Sequence, residues 1–202
     1  MDIDQFPSPF QHAMIMTLYD NKYRIESARH PHWDYSANGW YFITVCTQKR
    51  QHFFGHIENG VMQLSKIGEI VADEWQKTAI VRPYVVLDEW VVMPNHFHAI
   101  VGIQHPFPHS PDDVETFRRN VSTGVSRLPD KNISRLQPKS LGSIVGQFKS
   151  ICTKRIWTMG FQEFAWQPRF HDHIIRDHSA LDRIRQYIQT NPNRWKTDKL
   201  YC

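Results

Sequence analysis

The segment His96-Phe97-His98 combines residue types and a spacing that fit metal chemistry. Alternate residues of a β-strand point to the same face of a sheet, so the two imidazoles lie side by side while Phe97 points to the other face. Two nitrogen donors at this separation can chelate one divalent ion. The alternative interpretation is a pair of histidines on the solvent side of a half-buried sheet, and a third ligand would decide between the two.

Tyr187 and Asn191, in the last predicted helix, are candidates to complete such a site. They are separated by four positions, so their side chains project from the same helix face. Three protein ligands would leave metal positions open for a phosphate oxygen. A neutral phenol with a pKa of about 10 is a weak nucleophile, so the site must accept its proton or lower its pKa. The alternative for Tyr187 is an aromatic residue at the edge of the core.

Hydrophobic patterns predict the strands of the sheet to which the histidine segment belongs. The alternating segment GWYFITVCTQ, which begins at Gly39, predicts a strand. The segment VVLDEWVVMPNHFHAIVGI predicts two strands joined at Pro94-Asn95, a dipeptide that favours turns. A further strand is predicted within WQPRFHDHIIRD. Together these segments predict a sheet with the histidine hairpin near its centre.

Three segments predict amphipathic helices. Residues 65–78 place apolar side chains at helical spacing behind Ser65, a favourable N-cap. The segment LGSIVGQFKSICTKRIW predicts a second helix, and SALDRIRQYIQTNP a third with Ser179 as its N-cap. The order strand, helix, strand, strand, helix, strand, helix favours an α+β fold of the ferredoxin-like type, an antiparallel sheet with helices packed on one face.

The length of 202 residues fits one domain with appendages. Residues 1–38 predict an N-terminal arm, and residues 39–202 predict a single catalytic domain. The proline-bearing stretch 104–138 shows no period and predicts a mobile insertion. The chain is 41% hydrophobic, which is enough to form a core, and it contains no apolar run of about 18 residues. We therefore expect a cytoplasmic, nucleoid-associated protein that does not enter a membrane.

The net charge of +4 is distributed unevenly along the chain. Residues 1–138 contain 13 Lys/Arg and 15 Asp/Glu, which gives −2, whereas residues 139–202 contain 11 and 5, which gives +6. A basic, aromatic-bearing final third indicates a polyanionic partner. The alternative is a solvated basic face that serves solubility.

Five segments resemble one known family, the REP-associated tyrosine transposases. They are, in chain order, DYSANGWYFITVCTQKR, MPNHFHAIV, GQFKSICTKRIW, WQPRFHDHIIRD and YIQTNP, and they extend from about residue 23 to 195. The family is related to the single-tyrosine transposases of insertion sequences, within the HUH group of single-strand DNA nucleases. The HUH motif consists of two histidines around a hydrophobic residue, and His96-Phe97-His98 matches it.

The resemblance implies a function and roles for individual residues. It implies that Tyr187 attacks a phosphodiester of single-stranded DNA, which leaves a 5′-phosphotyrosine and a free 3′-hydroxyl. It also implies that His96, His98 and Asn191 bind a divalent metal, Mg²⁺ or Mn²⁺, and that no nucleotide cofactor is needed. Members of this family act on hairpins of repetitive extragenic palindromes, so a REP-like hairpin is the expected partner. The insertion-sequence relatives act as dimers and the REP-associated branch as monomers, so a monomer or a homodimer is expected.

Basic and aromatic residues of the final third are candidates for DNA contact. They are Lys149, Lys154, Arg155, Trp166, Gln167, Arg169, Arg176 and Arg194. The alternative places Trp166 in the core and Lys154 and Arg155 on a solvated helix face.

Two other functions remain open from the sequence. The chain could be a non-cleaving DNA-hairpin-binding regulator on the same fold. It could also be a metal-dependent hydrolase acting through activated water, which would need a carboxylate near the histidines. Asp88 and Glu89, in the other strand of the histidine hairpin, are the residues considered for that role.

Overall fold

A computed structural model describes residues 18–19, 22–23, 33–105 and 137–201 of the chain. Contacts divide the chain into two units, Met1–Trp33 and Asp34–Cys202. In the first unit, strands β1 (Leu18–Tyr19) and β2 (Lys22–Tyr23) pair antiparallel. Most of the predicted arm and of the predicted insertion at 104–138 lies outside the described residues, so both boundaries stay predictions.

The described part of the second unit consists of strands and helices in the order expected for an α+β domain. They are β3 (Gly39–Cys46), β4 (Gly55–Glu58), β5 (Val61–Leu64), α1 (Lys66–Val81), β6 (Val85–Met93), β7 (His96–Ile103), α2 (Leu141–Thr158), β8 (His171–Ile175) and α3 (His178–Thr190). No helix among the described residues combines the length and apolarity needed to cross a bilayer.

A four-stranded antiparallel sheet with the order β6-β7-β3-β8 forms the centre of this unit. The α+β class and the antiparallel sheet predicted from the sequence are therefore confirmed. β6 and β7 form the expected hairpin around Pro94-Asn95, and β7, an inner strand, is buried along its whole length. The histidine segment thus lies on a strand that is supported on both sides.

One face of the sheet is covered by α1 and α2. Trp75 of α1, Phe97 of β7 and Phe148 of α2 contact one another, with ring centroids 5.0–5.5 Å apart. Helix α1 begins behind Ser65, whose hydroxyl accepts a hydrogen bond from the Gly68 amide at 3.1 Å, so the predicted N-cap is confirmed. Aromatic burial of this kind contributes a large share of a domain's stability.

The opposite face is covered by α3, which corrects the expectation that all helices pack on one face. Leu181 and Ile188 of α3 form a buried cluster with Ile100 of β7 and Ile175 of β8. Ile100 alternates with Phe97 across the pleat, so each face of β7 carries apolar side chains that need cover. The fold therefore has helices on both sides of the sheet, and α3 lies on the histidine side.

Two local features differ from the sequence prediction. Helix α3 begins behind Asp177, whose carboxylate accepts from the Ala180 amide at 2.7 Å, whereas the predicted N-cap, Ser179, lies inside the helix. The hairpin of β4 and β5 was not predicted. Its strands have few buried residues and turn at Asn59-Gly60, where both residues have positive φ, as hairpin turns require.

Candidate active site

His96 and His98 lie at the start of β7, on the face covered by α3. Cross-strand pairing places them opposite Cys46 and Thr44 of β3. Both side chains are buried, with 0% and 2% of their surface exposed, and their ring centroids lie 4.5 Å apart. The alternative of two histidines on a wet sheet surface is therefore wrong.

Hydrogen bonds fix the tautomer of His96 and give His98 a partner on Nδ1. The Asn95 amide nitrogen donates to the Leu200 carbonyl at 2.9 Å, which leaves its Oδ1 to accept from His96 Nδ1 at 2.7 Å. His98 Nδ1 lies 2.9 Å from the Thr44 hydroxyl. His96 Nε2 therefore keeps an unpartnered lone pair, the arrangement typical of metal-binding histidines, and Nε2 of His98 is the nitrogen that faces Tyr187.

Burial keeps both imidazoles neutral. It lowers the pKa of His98 to about 4, and burial together with the neighbouring His98 lowers the pKa of His96 to about 2. An imidazole must be neutral to bind a metal, so both side chains are ready to act as ligands at neutral pH.

The depressed pKa values predict that the metal-free protein loses stability in mild acid. Below about pH 6.5 the unfolded chain binds protons that the buried histidines of the folded protein do not bind, so the unfolded state is stabilised relative to the folded one. For His98 the free energy of unfolding should fall by about 2 kcal/mol between pH 7 and pH 5. Urea unfolding in the presence of a chelator measures this loss. His98→Gln should remove about half of the dependence over this interval, because His96 contributes a similar share, and an unchanged slope in that variant would contradict the assignment.

Tyr187 and Asn191 lie at the end of α3, and Tyr187 contacts His98. The Tyr187 hydroxyl lies 3.3 Å from His98 Nε2, and its ring packs edge-on against Phe42 at 6.0 Å. Asn191, the C-cap of α3, is 1% exposed, whereas Tyr187 keeps 39% of its surface exposed. Burial, followed by the nearby Asp198, raises the pKa of the Tyr187 phenol. Tyr187 therefore contacts His98 while its side chain stays open to solvent, and Asn191 is buried one helical turn further along the chain.

Asp198 is a site residue that the sequence did not reveal. It follows a 3₁₀ helix, Pro192–Thr197, which returns the chain to the site after α3. Its Oδ2 accepts from the Asn191 amide nitrogen at 3.0 Å and lies 3.4 Å from the Tyr187 hydroxyl. One ligand atom each of His96, His98 and Asp198 lie within 4.8 Å of one another. No motif surrounds Asp198, so only its position after the tyrosine helix could have signalled it.

Two unpartnered polar atoms test whether these residues fit a metal ion. Among the described residues, three buried side-chain atoms lack a hydrogen-bond partner, and two of them are His96 Nε2 and Asn191 Oδ1. A buried polar atom without a partner costs about 1–3 kcal/mol unless something binds it. Imidazole nitrogens with amide and carboxylate oxygens suit a divalent cation such as Mg²⁺, Mn²⁺ or Zn²⁺. The donor set therefore fits a divalent ion without selecting its identity.

Four of the eight predicted DNA-contact residues line one cleft. The cleft, of about 750 Å³, runs between α2 and the segment before β8, and Lys149, Lys154, Trp166 and Gln167 are among the residues that line it. Lys149 donates to the Gln167 carbonyl, and burial lowers its pKa to about 8. Trp166 is 9% exposed and packs against Phe148, so most of its ring belongs to the core.

The other four predicted DNA-contact residues have different surroundings. Arg155 pairs with Asp73 and Glu74 of α1 and thereby joins α1 to α2. Arg169, Arg176 and Arg194 are exposed, before β8, after β8 and within the 3₁₀ helix respectively. DNA contact by any of the eight stays a prediction.

Comparison with known proteins yields one relative at substantial identity. No family model matches the chain. An uncharacterized protein of Haemophilus influenzae is 35% identical over 181 residues, which cover 87% of this chain and 92% of the relative. This level of identity over most of both chains establishes common descent.

Two solved structures are similar to the chain at low identity. One is a REP-associated tyrosine transposase bound to a REP hairpin, with 19% identity, a TM-score of 0.49, and 84% of this chain and 74% of that chain covered. The other is a candidate transposase from Deinococcus radiodurans R1, with 14% identity, a TM-score of 0.39, and 81% and 96% covered.

Proposed function

The chain belongs to one family with the uncharacterized Haemophilus influenzae protein, and from its own site residues we propose that it is a tyrosine transposase of the REP-associated type. In this proposal it is a metal-dependent endonuclease and strand transferase that acts on single-stranded DNA. The observations that support it most directly are the contact of Tyr187 with His98 and the unpartnered His96 Nε2 and Asn191 Oδ1, since the sequence motifs imply this set. An intact set also favours cleavage over the non-cleaving regulator.

In the proposed mechanism, His96 and His98 would hold the divalent ion together with Asn191 and Asp198. When bound, the ion would polarise a phosphate oxygen and stabilise the charge that develops during attack. The Asn95 and Thr44 partners would keep both imidazoles oriented throughout the reaction. The protein thus contributes a rigid donor set on an inner strand.

The nucleophile in this mechanism is the Tyr187 hydroxyl. Its raised pKa means that the phenol is protonated at neutral pH, so the proton must leave as the oxygen attacks. Oδ2 of Asp198, at 3.4 Å, is placed to accept it. A bond forms between the phenolic oxygen and phosphorus, the bond from phosphorus to the 3′-oxygen breaks, and that oxygen leaves as a 3′-hydroxyl after taking up a proton. The product is a 5′-phosphotyrosine that a later 3′-hydroxyl can attack.

The proposed substrate is single-stranded DNA that forms a hairpin. A strand that enters the site must present a phosphate to Tyr187, which the exposed side of α3 allows. The cleft beside α2 offers Lys149 and Lys154 for phosphates and the Trp157 and Trp166 ring edges for bases. The charge of +6 in residues 139–202 favours such a partner.

Lys154 tests the role of this cleft. It is exposed and lines the cleft, so Lys154→Gln should remove about one phosphate contact. The slope of log affinity against log salt should then become less negative by about 0.7. Fluorescence anisotropy with a labelled hairpin at several salt concentrations measures the slope. Lys66→Gln makes the same charge change on the exposed start of α1, outside the cleft, and should leave the slope as it is. Equal slopes for wild type and Lys154→Gln would remove Lys154 from the binding surface.

The central experiment is a search for a covalent adduct. The protein is incubated with single-stranded hairpin DNA of REP type and Mn²⁺, and the products are separated under denaturing conditions. A DNA-linked band whose modified peptide contains Tyr187 is the expected result. Strand cleavage with no linked protein would contradict the tyrosine mechanism.

Asp198 favours one second candidate, a metal-dependent hydrolase that acts through activated water. The sequence suggested Asp88 and Glu89 as the carboxylate that this role needs, whereas it is Asp198 that lies beside the histidines. Asp88 and Glu89 are bound to side chains of α3 and are not part of the cluster. Hydrolysis would leave both DNA ends free and would survive loss of the phenol, so the adduct experiment also separates these two functions.

A further inference from the structure

Strand β6 carries a β-bulge whose side chains contact α3, the helix that contains Tyr187. The register of β6 against β7 shifts between Leu87 and Trp90, and the two residues in between are Asp88 and Glu89. A bulge bends its strand and redirects side chains locally. Here both carboxylates contact the side chains of α3.

The first contact is a bidentate ion pair between Arg185 and Asp88. Arg185 of α3 donates through Nε to Asp88 Oδ1 at 2.9 Å and through Nη2 to Asp88 Oδ2 at 2.6 Å. The Asp88 side chain is 13% exposed, and Oδ1 also accepts from the Glu89 amide at 2.7 Å. A planar bidentate pair fixes direction as well as distance. It therefore determines both the position of α3 along the sheet and its rotation.

The second contact lies one helical turn further along α3. The Gln189 amide nitrogen donates to Glu89 Oε1 at 2.9 Å. Arg185 and Gln189 flank Tyr187 by two residues on either side, on a different face of the helix from the phenol. The apolar cluster under α3 resists separation from the sheet but is non-directional, so it does not specify the last ångström of the tyrosine's position.

We propose that Asp88 and Glu89 are positioning residues, which fix α3 so that the Tyr187 hydroxyl is held over the metal-binding histidines. This inference rests on the proposed function, because it concerns the reach of the nucleophile. An attacking group displaced by about 1 Å can lose about a hundredfold in rate. The bulge would thus act on the nucleophile through its contacts with α3.

The most specific test exchanges the carboxylate of Glu89 and the amide of Gln189. Gln189→Glu places two carboxylates opposite each other, and the double variant Glu89→Gln/Gln189→Glu restores one donor and one acceptor with the same shapes. We expect the single-turnover rate of adduct formation to fall about tenfold in Gln189→Glu and to recover in the double variant. Hairpin affinity should stay near the wild-type value in both. Gln186→Glu, which adds the same charge to an exposed neighbouring position, controls for repulsion of the DNA.

The variant Asp88→Ala and a measurement of amide hydrogen exchange test the same positioning role independently. Asp88→Ala should slow adduct formation at least as much, with the melting temperature measured alongside. Amide hydrogen exchange over residues 185–191 should become faster in Gln189→Glu and slow again in the double variant. An unchanged adduct rate in both single variants, or no recovery in the double variant, would overturn the positioning role. If the wild type forms no adduct, the proposed function fails. If Gln189→Glu does not alter amide hydrogen exchange over residues 185–191, the contact between Glu89 and Gln189 does not hold α3 in place.

Discussion

We expect Tyr187→Phe to abolish the covalent adduct and strand cleavage together. The substitution removes one oxygen, the atom that lies 3.3 Å from His98 Nε2, and keeps the ring that packs against Phe42. Because the proposed reaction has no other nucleophile, the rate should fall by about a thousandfold or more. A denaturing gel with labelled hairpin DNA and Mn²⁺ measures both products. Hairpin affinity should remain near that of the wild type.

The structure offers a matched control for this substitution. Tyr201 is also exposed and packs against Trp195, so Tyr201→Phe removes a phenolic oxygen near the same end of the chain without reaching the histidines. This variant should form the adduct at the wild-type rate. Cleavage by Tyr187→Phe without an adduct would replace the tyrosine mechanism with the water-activated hydrolase.

We expect His96→Ala to reduce the affinity for Mn²⁺ by about a hundredfold or more. Loss of an orienting neighbour of a metal ligand already costs about ten- to a hundredfold, and here a ligand with an unpaired Nε2 is removed. Titration calorimetry or the electron paramagnetic resonance signal of free Mn²⁺ measures the affinity without any DNA. Adduct formation should be lost in parallel.

Two further variants complete the metal experiment. His56→Ala removes an exposed imidazole from β4 and should not alter Mn²⁺ affinity. Asp198→Asn should weaken Mn²⁺ binding if the carboxylate is a ligand, and should leave it unchanged if Asp198 serves only the phenol. Wild-type affinity in His96→Ala would mean that the histidine pair does not bind the metal.

Local patterns were sufficient to predict the elements of the sheet and its histidine hairpin. The alternation from Gly39, the Pro94-Asn95 turn and the Ser65 cap are signals within a few residues, and each is found in the structure. The i, i+4 spacing of Tyr187 and Asn191 likewise brought both to one site. The placement of side chains within short, regular segments is therefore accessible from the sequence.

Features that depend on packing between distant segments were not accessible. The placement of α3 on the histidine face depends on which side of the sheet needs apolar cover, and this is decided by Ile100 and Ile175 together. Asp198 enters the site only because the 3₁₀ helix turns the chain back. The ion pairs of Arg155 with α1 could not be predicted from the sequence either, since its partners lie about 80 positions earlier in the chain.

The hydrogen bonds from Leu200 through Asn95 to His96 link the end of the described chain to the lone pair of a candidate ligand. Coupling between two sites is reciprocal, so anything that favours the metal-binding tautomer of His96 must also favour the ordered position of Leu200 by the same free energy. A cation bound at the histidines would therefore stabilise the position of the segment around Leu200. Loss of that position would, in turn, lower the affinity for the cation. The position of Leu200 and the occupancy of the proposed metal site would then be thermodynamically linked.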